Sequence, residues 1–569
     1  MRLPIDWLRE FTSVPDDPGT LAEQFTQLGL EVEEIIRPSE TLEGLTIVTL
    51  EASEPHPNRE DLTVCEVTDG QEPHRVVTAA SNLTVGSRYV WAPPGAGLDD
   101  QLIESESFGG VSSEGMLCSL EELGLTGTSG SLLELTTAFS VGEDPVEQLH
   151  LDTPILDIDL TPNRADCLSI VGLARDYGAY RNQNVDLPAP PTPDYDGDET
   201  PDVRIDAPDR CTQYHGIRVD GVPTGPSSPK IQRRLVQMGL QPRNAIVDLT
   251  NYVLFEQGNP LHAFDLDRIE PTVVVRNAYD DETLTTLDGT ERELETDHLV
   301  IADQEAPQAL AGIIGGAASA VSESTNRIFL EGADFDPSGI RRTGQQLKIH
   351  TDSSHRFERG VDSRNVRPAM NRFLQLLTEE TDGSLRVHEP VDAGQGPESP
   401  SPIPFSPQSY GRLVGYSLDR DSIQDTFRRL GLNINKDDES SWTVTPPSWR
   451  HDLKRPEDLV EELLRLEGYE TVTSSYPTAS VAASPRPSAD FSRTIRGLLG
   501  NSGFRETVTF SFQPEDAVPV SKADSFRRVK NPLSEEHAVL RRSLLDRLVP
   551  VLEKNYEVGG DNLRFFEIG

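Results

Sequence analysis

A chain of 569 residues is too long for one hydrophobic core, and at roughly 150 residues per domain it should divide into about four. Its 95 acidic against 51 basic side chains leave a formal charge of −44, with only seven lysines among the cations. A surface crowded with carboxylates and poor in lysine suits molar salt, where the Debye length falls to about 3 Å, so salt adaptation is expected. No apolar run approaches the roughly 18 residues of a membrane span, and the opening MRLPIDWLREF reads as an amphipathic helix rather than a signal peptide. A soluble, cytoplasmic protein is therefore expected. Cys65, Cys118, Cys167 and Cys211 lie far apart, which argues against a zinc finger and against a disulfide framework.

Helical patterns over 5–11 and 20–28 give way near Leu42 to alternating strands, and helical sequence returns after Asn163. This predicts a β domain over 40–149 inserted into a small helical domain made of 1–39 and 150–187. Short strands with Gly, Asn, Asp and Pro turns at close spacing favour a small barrel of the OB type. Three stretches read as linkers, 187–203, 389–405 and 477–491, because each combines proline with small or acidic residues. They leave further blocks over 204–388, 404–476 and 490–569.

In the barrel, His56-Pro57-Asn58, Asp61-Leu62, Ala80-Ser81-Asn82 and SEGMLCS (113–119) resemble, in order, the tRNA-binding OB domain of bacterial phenylalanyl-tRNA synthetase β subunits and of free-standing tRNA-binding proteins. The resemblance implies tRNA contacts from His56, Asn58, Asn82, Ser113 and Met116; a turn or barrel-closing role is the alternative for each. Positions 40–147 hold twenty carboxylates against Arg59, Arg75 and Arg88. Electrostatic capture of RNA should be weak there, which leaves shape and stacking on Tyr89 or Trp91. The segment TPNRADCLS (161–169) resembles the β-subunit sequence that returns the chain to the helical domain, with Asp166 and Ser169 placed to cap a helix.

The next block carries QPRNAIVDLTNYVLFEQGNPLHAFD (241–265), ALAGIIGGAASAVSESTNRIFLEGADF (309–335) and HTDSSHRFERGVD (350–362). In order and spacing these resemble the proofreading domain of the same β subunits, which hydrolyses tyrosine wrongly esterified to the phenylalanine tRNA. Read by themselves, Gly312, Gly315 and Gly316 allow close approach of backbone to a ligand and can present N–H groups to an oxyanion. His262, Glu331 and Thr351 are polar residues on otherwise apolar or glycine-rich segments. No serine or cysteine nucleophile with a base stands out, so a positioned water is the simplest hydrolytic agent. The resemblance implies catalytic roles for His262, Glu331 and Thr351, and substrate binding by Gln241, Asn251, Gly312, Gly315, Gly316 and Ser353. A structural histidine after a tight turn is the alternative for His262. Two positions depart from the family: Gln241 stands where arginine is usual, and Ser353 where alanine is common.

From Thr443 the chain reads TVTPPSWRHDLKRPEDLVEELLRLEGYETV, similar to the family's small PPSxRxD domain with its acidic helix. Pro456 suits a first helical turn, and Asp458, Glu461 and Glu462 fall at i, i+3 and i+4 on one face. With Asp452 they make a hard oxygen set suited to Mg²⁺, which the family binds at the matching positions near the α subunit. A solvated acidic face paired with Arg465 is the alternative. The last block, with GFRETVTFSF and VKNPLSEEHAVLRRSLLDRLVPVLEKN, resembles the family's synthetase-like domain that lacks catalytic residues, and it stops where relatives continue, so a C-terminal truncation is expected.

The expectation is thus an α+β multidomain chain: a helical domain with an inserted OB-fold, an α/β editing domain, a small α+β domain and a partial class II synthetase-like domain. Such a chain would be the β half of an (αβ)₂ ligase that joins phenylalanine to its tRNA, with ATP and Mg²⁺ used by the α subunit and no membrane or DNA partner. No P-loop is present to suggest adenylation here. A non-enzymatic tRNA-binding scaffold and a stand-alone editing hydrolase are the rival readings.

Overall fold

The computed structural model describes residues 1–98, 101–125, 131–381, 385–396, 399–436, 441–476, 487–517 and 526–569. They form two compact units, Met1–Thr473 and Ser474–Gly569.

In the first unit, Ile155–Asp159 is the middle strand of a three-stranded sheet, antiparallel to Arg2–Pro4 on one side and to Glu31–Ile36 on the other. Strands from before and after the barrel therefore share one sheet, and the barrel is an excursion pinned at both ends. The helical pattern expected over 5–11 is the short helix Ile5–Leu8, and that over 20–28 is Pro18–Gln27. Asp17 and Pro18 start the latter: the Asp17 carboxylate accepts from the Thr20 N–H at 2.8 Å, and Pro18 has no N–H to leave unpaired. Ser169 caps Ile170–Arg181 by accepting from Gly172 N–H at 3.0 Å. Asp166, the other expected cap, turns instead to Arg164, which donates to both of its oxygens at 3.0 Å.

The inserted segment forms an OB-like half-barrel, hereafter the barrel: an antiparallel sheet in the order Met116–Leu117, Arg88–Ala92, Thr46–Pro55, Thr63–Thr68, Pro73–Thr78, with Glu134–Leu135 also paired to Arg88–Ala92. Its central strand buries both faces. Ile47 packs into one apolar cluster with Leu45, Val90 and Phe139, whereas Val48 packs into another with Val67, Tyr89 and Trp91.

The block from 202 to 394 has two larger sheets beside the hairpin Thr283–Thr285 and Glu291–Glu293. One runs Asp202–Ile205, Thr272–Asn277, Leu299–Ala302, Pro307–Leu310, Ile314–Gly315; the other has Leu261–Asp265, Arg327–Phe335 and Cys211–Asp220 side by side. Helix Ala245–Gln257 begins where the Asn244 side chain accepts from Val247 N–H and stops at Gly258, whose φ of 80° suits glycine. With Val366–Glu379 it shares an apolar core with the N-terminal helices, in which the Trp7 and Tyr252 rings lie 4.8 Å apart. The small domain that follows packs Gln408–Val414, Arg420–Arg429 and Pro456–Glu467 on the sheet Ile403–Phe405, Trp442–Thr445, Asn433–Lys436. No helix among the described residues is long and apolar enough to cross a membrane.

The second unit carries helices Pro487–Asn501 and Leu545–Glu557, neither with a buried residue, and two short strand pairs. Phe491, Val508, Phe510, Leu533 and Tyr556 are all exposed on it.

Candidate active site

His262 and Glu331 meet because of strand register. Leu261–Asp265 runs antiparallel to Arg327–Phe335, and this pairing sets His262 directly across from Glu331. On the other side of Glu331 the paired residue is Gly216, where a Cβ would come within 2.3 Å of Phe329 Cζ. Only glycine allows the Phe329 ring to lie across that position. Two residues earlier on the same strand, the Tyr214 hydroxyl donates to Glu331 Oε2 at 3.1 Å. Sequence reasoning did not single out Tyr214 or Gly216; their only signal is an alternating strand, CTQYHGIRVD, that reads as core.

Burial sets the charge state of this pair. Glu331 is 5% exposed, and desolvation pushes its carboxyl up to about 8, with Tyr214 pulling weakly in the other direction. Desolvation also pushes His262 down to about 4. At neutral pH both groups are therefore uncharged: a carboxylic acid facing a neutral imidazole. The Tyr214 hydroxyl engages Oε2, which leaves Oε1 as the carboxyl oxygen without that partner. A protonated Glu331 carboxyl can donate as well as accept.

The glycine segment packs against this pair. A Cβ on Gly315 would lie 2.6 Å from His262 Cε1, so the loop backbone rests on the imidazole. The Gly316 N–H donates to Gln308 O at 2.8 Å and is spent within the sheet, which narrows the oxyanion reading of the glycines. Gly312, at φ 67°, makes room for Phe335, Phe357 and Ile340. Thr351 is a positioning group: its hydroxyl donates to Ile313 O at 2.8 Å and accepts from Ser354 N–H at 3.1 Å, which ties helix Asp352–Phe357 to the glycine turn. Ser353 lies half-buried on that helix, and Asn251 half-buried on Ala245–Gln257. Gln241 does not join the site; its side-chain amide donates to Glu134 O on the barrel at 2.8 Å.

The barrel residues expected to touch tRNA are engaged within the barrel. His56 Nε2 lies 2.8 Å from Phe108 O, and its Nδ1 accepts from Asn58 N–H, while the Asn58 amide donates to Gly109 O. Asn82 clamps Leu132 through both backbone groups, and buried Ser113 accepts from Val77 N–H and donates to Gly115 O. Met116 packs against the barrel core. Tyr89 and Trp91 are buried, and their polar atoms are spent on Asn82 O, Thr84 N–H and Glu114 O, so neither is a free stacking face.

The expected magnesium set is not assembled. No three of Asp452, Asp458, Glu461 and Glu462 bring oxygens within 4.8 Å of one another. Asp452 and Glu462 bind Arg450, at 2.8 and 2.5 Å. Asp458 accepts from Lys454 and Arg455 N–H and from the Arg455 side chain, and Glu461 faces solvent. Arg465 reaches Glu462 and Asp176 rather than a solvated face, and Asp176 also takes Arg164, so these charges form one buried network. Burial opposes ionisation of Glu462, but Arg465 and Arg450 overcome it and hold the carboxyl well below its usual range. Asp452 and Glu462 are thus committed to guanidinium groups, and this chain by itself does not converge the four carboxylates on one ion.

Four family models match the chain: "Putative tRNA binding domain" over 45–144, "B3/4 domain" over 210–382, "tRNA synthetase B5 domain" over 403–469 and "Phenylalanyl tRNA synthetase beta chain CLM domain" over 472–569. The His262–Glu331 pair falls inside the second. Among curated relatives, the phenylalanine–tRNA ligase beta subunit of Methylococcus capsulatus is 39% identical over all of this chain and 72% of its own length. That of Anaeromyxobacter dehalogenans is 38% identical, and that of Nitratidesulfovibrio vulgaris 36%, each over the same shares of the two chains. This chain belongs to the phenylalanine–tRNA ligase β-subunit family.

Proposed function

We propose that this chain serves as the β half of a phenylalanine–tRNA ligase and that the His262–Glu331 site removes tyrosine from mischarged phenylalanine tRNA. ATP-dependent ligation, with its Mg²⁺, belongs to an α chain, in an (αβ)₂ assembly in the cytoplasm. The exposed apolar residues of the second unit, Phe491, Val508, Phe510, Leu533 and Tyr556, suit a surface that a partner covers.

The protonated Glu331 carboxyl carries the editing reading. Tyrosine differs from phenylalanine by one hydroxyl, and an apolar synthetic pocket rejects an added hydroxyl by only about a hundredfold. A hydrolytic site that demands the hydroxyl closes that gap. The protonated Glu331 carboxyl donates to the phenol oxygen; phenylalanine offers no acceptor and leaves a buried donor unmet, at a cost of about 1–3 kcal/mol. His262, with a pKa near 4, is too weak a base at neutral pH to take a proton from water. Its role is to orient the ester and the attacking water, held by the backbone at Gly315. Thr351 keeps the glycine turn in place, and Ser353 and Asn251 are the remaining polar groups offered to substrate. RNA docking on the acidic barrel relies on shape and backbone contact, since its motif side chains are engaged internally.

The test is deacylation of preformed tyrosyl-tRNA by the chain assembled with its α partner. Glu331→Ala and His262→Ala should each slow it by about a hundredfold or more while phenylalanine charging stays within about twofold. A double variant as fast as the parent would remove the editing assignment, and charging by the chain without α would remove the division of labour.

A further inference from the structure

We infer that the cleft between the N-terminal helical layer and the small three-stranded domain binds a small organic anion through a carboxylate or phosphate group. The cavity, of about 310 Å³, lies between the end of helix Ile170–Arg181 with the residues after it and the segments 428–431 and 449–450. Its charged lining is Arg175, Arg428, Arg429 and Arg450 against Asp166 and Asp176, an excess of cations in a chain of net charge −44. The aspartates are committed: both pair with Arg164, and Asp176 also pairs with Arg465. Arg450 is held by Asp452 and Glu462, and Arg428 and Arg429 share Asp425.

Arg175 is left without such a partner among the described residues. Its guanidinium lies 4.3 Å from the centroid of the Trp449 ring, and its Nε is buried with no hydrogen-bond acceptor. The nearest carboxylates to influence it, Asp362 and Asp166, do so without an ion pair, and burial lowers its pKa. Arg429 Nε is likewise buried without a hydrogen bond, although Asp425 Oδ2 lies 3.1 Å away. A desolvated donor without an acceptor is unfavourable, and Arg175, which lines the cavity, carries one.

The cleft is also prearranged. Trp449 is fixed between Arg175 and Gly431, where a Cβ would lie 3.2 Å from Trp449 Cζ2, and Arg429 Nη1 donates across the cleft to Ala179 O at 2.8 Å. With Nε buried, a guanidinium stacked on indole would meet a carboxylate or phosphate through its two Nη groups. The space exceeds a bare inorganic anion, and Asn182, Gln183 and Asn184 offer amides to the body of a larger ligand. Helices Ile170–Arg181 and Arg420–Arg429 both end at the cavity, and their carbonyl ends oppose an anion, so binding is modest, with a dissociation constant of about 0.1–1 mM. A ligand held there bridges two domains and stiffens their junction.

Calorimetric titration of the purified chain with AMP, inorganic phosphate and succinate, at constant ionic strength in chloride, tests the site. Saturable binding of AMP or phosphate alone assigns a phosphate source; binding of succinate alone assigns a carboxylic acid; both outcomes support the site when Arg175→Met weakens binding by about tenfold or more and the surface variant Arg428→Gln by about two- to fivefold. If Arg175→Met does not fold, the Arg428→Gln result decides. Absence of binding by all three probes, or binding that the folded variants leave unchanged, overturns the proposal.

Discussion

Glu331 and His262 face each other across adjacent antiparallel strands, and the same burial that keeps the carboxyl protonated near neutral pH keeps the imidazole deprotonated. Two groups that would attract each other as ions in water are both neutral here, because desolvation penalises the charged form of each.

Editing should therefore depend on the Glu331 proton. As pH rises through about 8 that proton is lost, and enzyme-dependent deacylation of tyrosyl-tRNA, after subtraction of spontaneous ester hydrolysis, should fall about tenfold per unit. Glu331→Gln keeps a donor and should give a reduced but pH-independent rate. A wild-type rate that climbs steadily to pH 9.5 would show that the carboxyl is not the donor.

The same shifts fix a stability window. Glu331 is raised in the folded state, so its contribution is full below about 4.5 and lost as pH rises through about 8. His262 is lowered, so its contribution is present above about 6.5 and lost as pH falls through about 4. Between pH 4.5 and 6.5 the two slopes oppose each other; from 6.5 to 8 only Glu331 acts. Relative to Glu331→Gln, the wild-type chain should lose about 2 kcal/mol across that upper window in urea unfolding.

Two glycine substitutions should separate fold from site. Gly216→Ala drives a methyl toward Phe329, whose ring is buried, and should destabilise by about 1–3 kcal/mol. Gly315→Ala presses on the His262 ring, which can move, so stability should change little while tyrosyl-tRNA deacylation drops by about tenfold or more. Thermal melts and deacylation rates on both variants check this.

Arg465 holds Asp176 and Glu462 together in a buried network. Arg465→Met leaves both carboxylates short of a cation and should cost about 3–5 kcal/mol, whereas exposed Glu461→Gln should stay within about 0.5 kcal/mol. Added Mg²⁺ should shift the melting temperature of the isolated chain no more than an equal ionic strength of NaCl does.

Charge alone predicts a salt response. With 95 carboxyl-bearing residues against 51 cations, self-repulsion weakens as salt screens it, so the melting temperature should rise from millimolar to molar KCl. The affinity of the αβ complex for tRNA should show a shallow salt slope if the barrel supplies few phosphate contacts, and a slope of several units would point to cations elsewhere.

The sequence by itself determined the elements and their order. Patterns of period 2 and 3.6, with caps such as Asp17, Asn244 and Ser169, are local properties, and hydrogen bonds three residues away suffice to set them. It also marked His262 and Glu331, 69 residues apart, as polar residues on apolar strands. Only the tertiary structure decided what such residues do. Register brought His262 opposite Glu331 and added Tyr214 and Gly216 from a third strand that reads as ordinary core. Long-range partners turned Gln241 toward the barrel, committed Asn82 to Leu132 and bound Glu462 into a cluster with Arg450 and Arg465. A carboxylate on a helix face looks the same in sequence whether water, a metal or a guanidinium awaits it. Its partner and its charge depend on which distant side chains share its burial, and helix spacing carries no record of that.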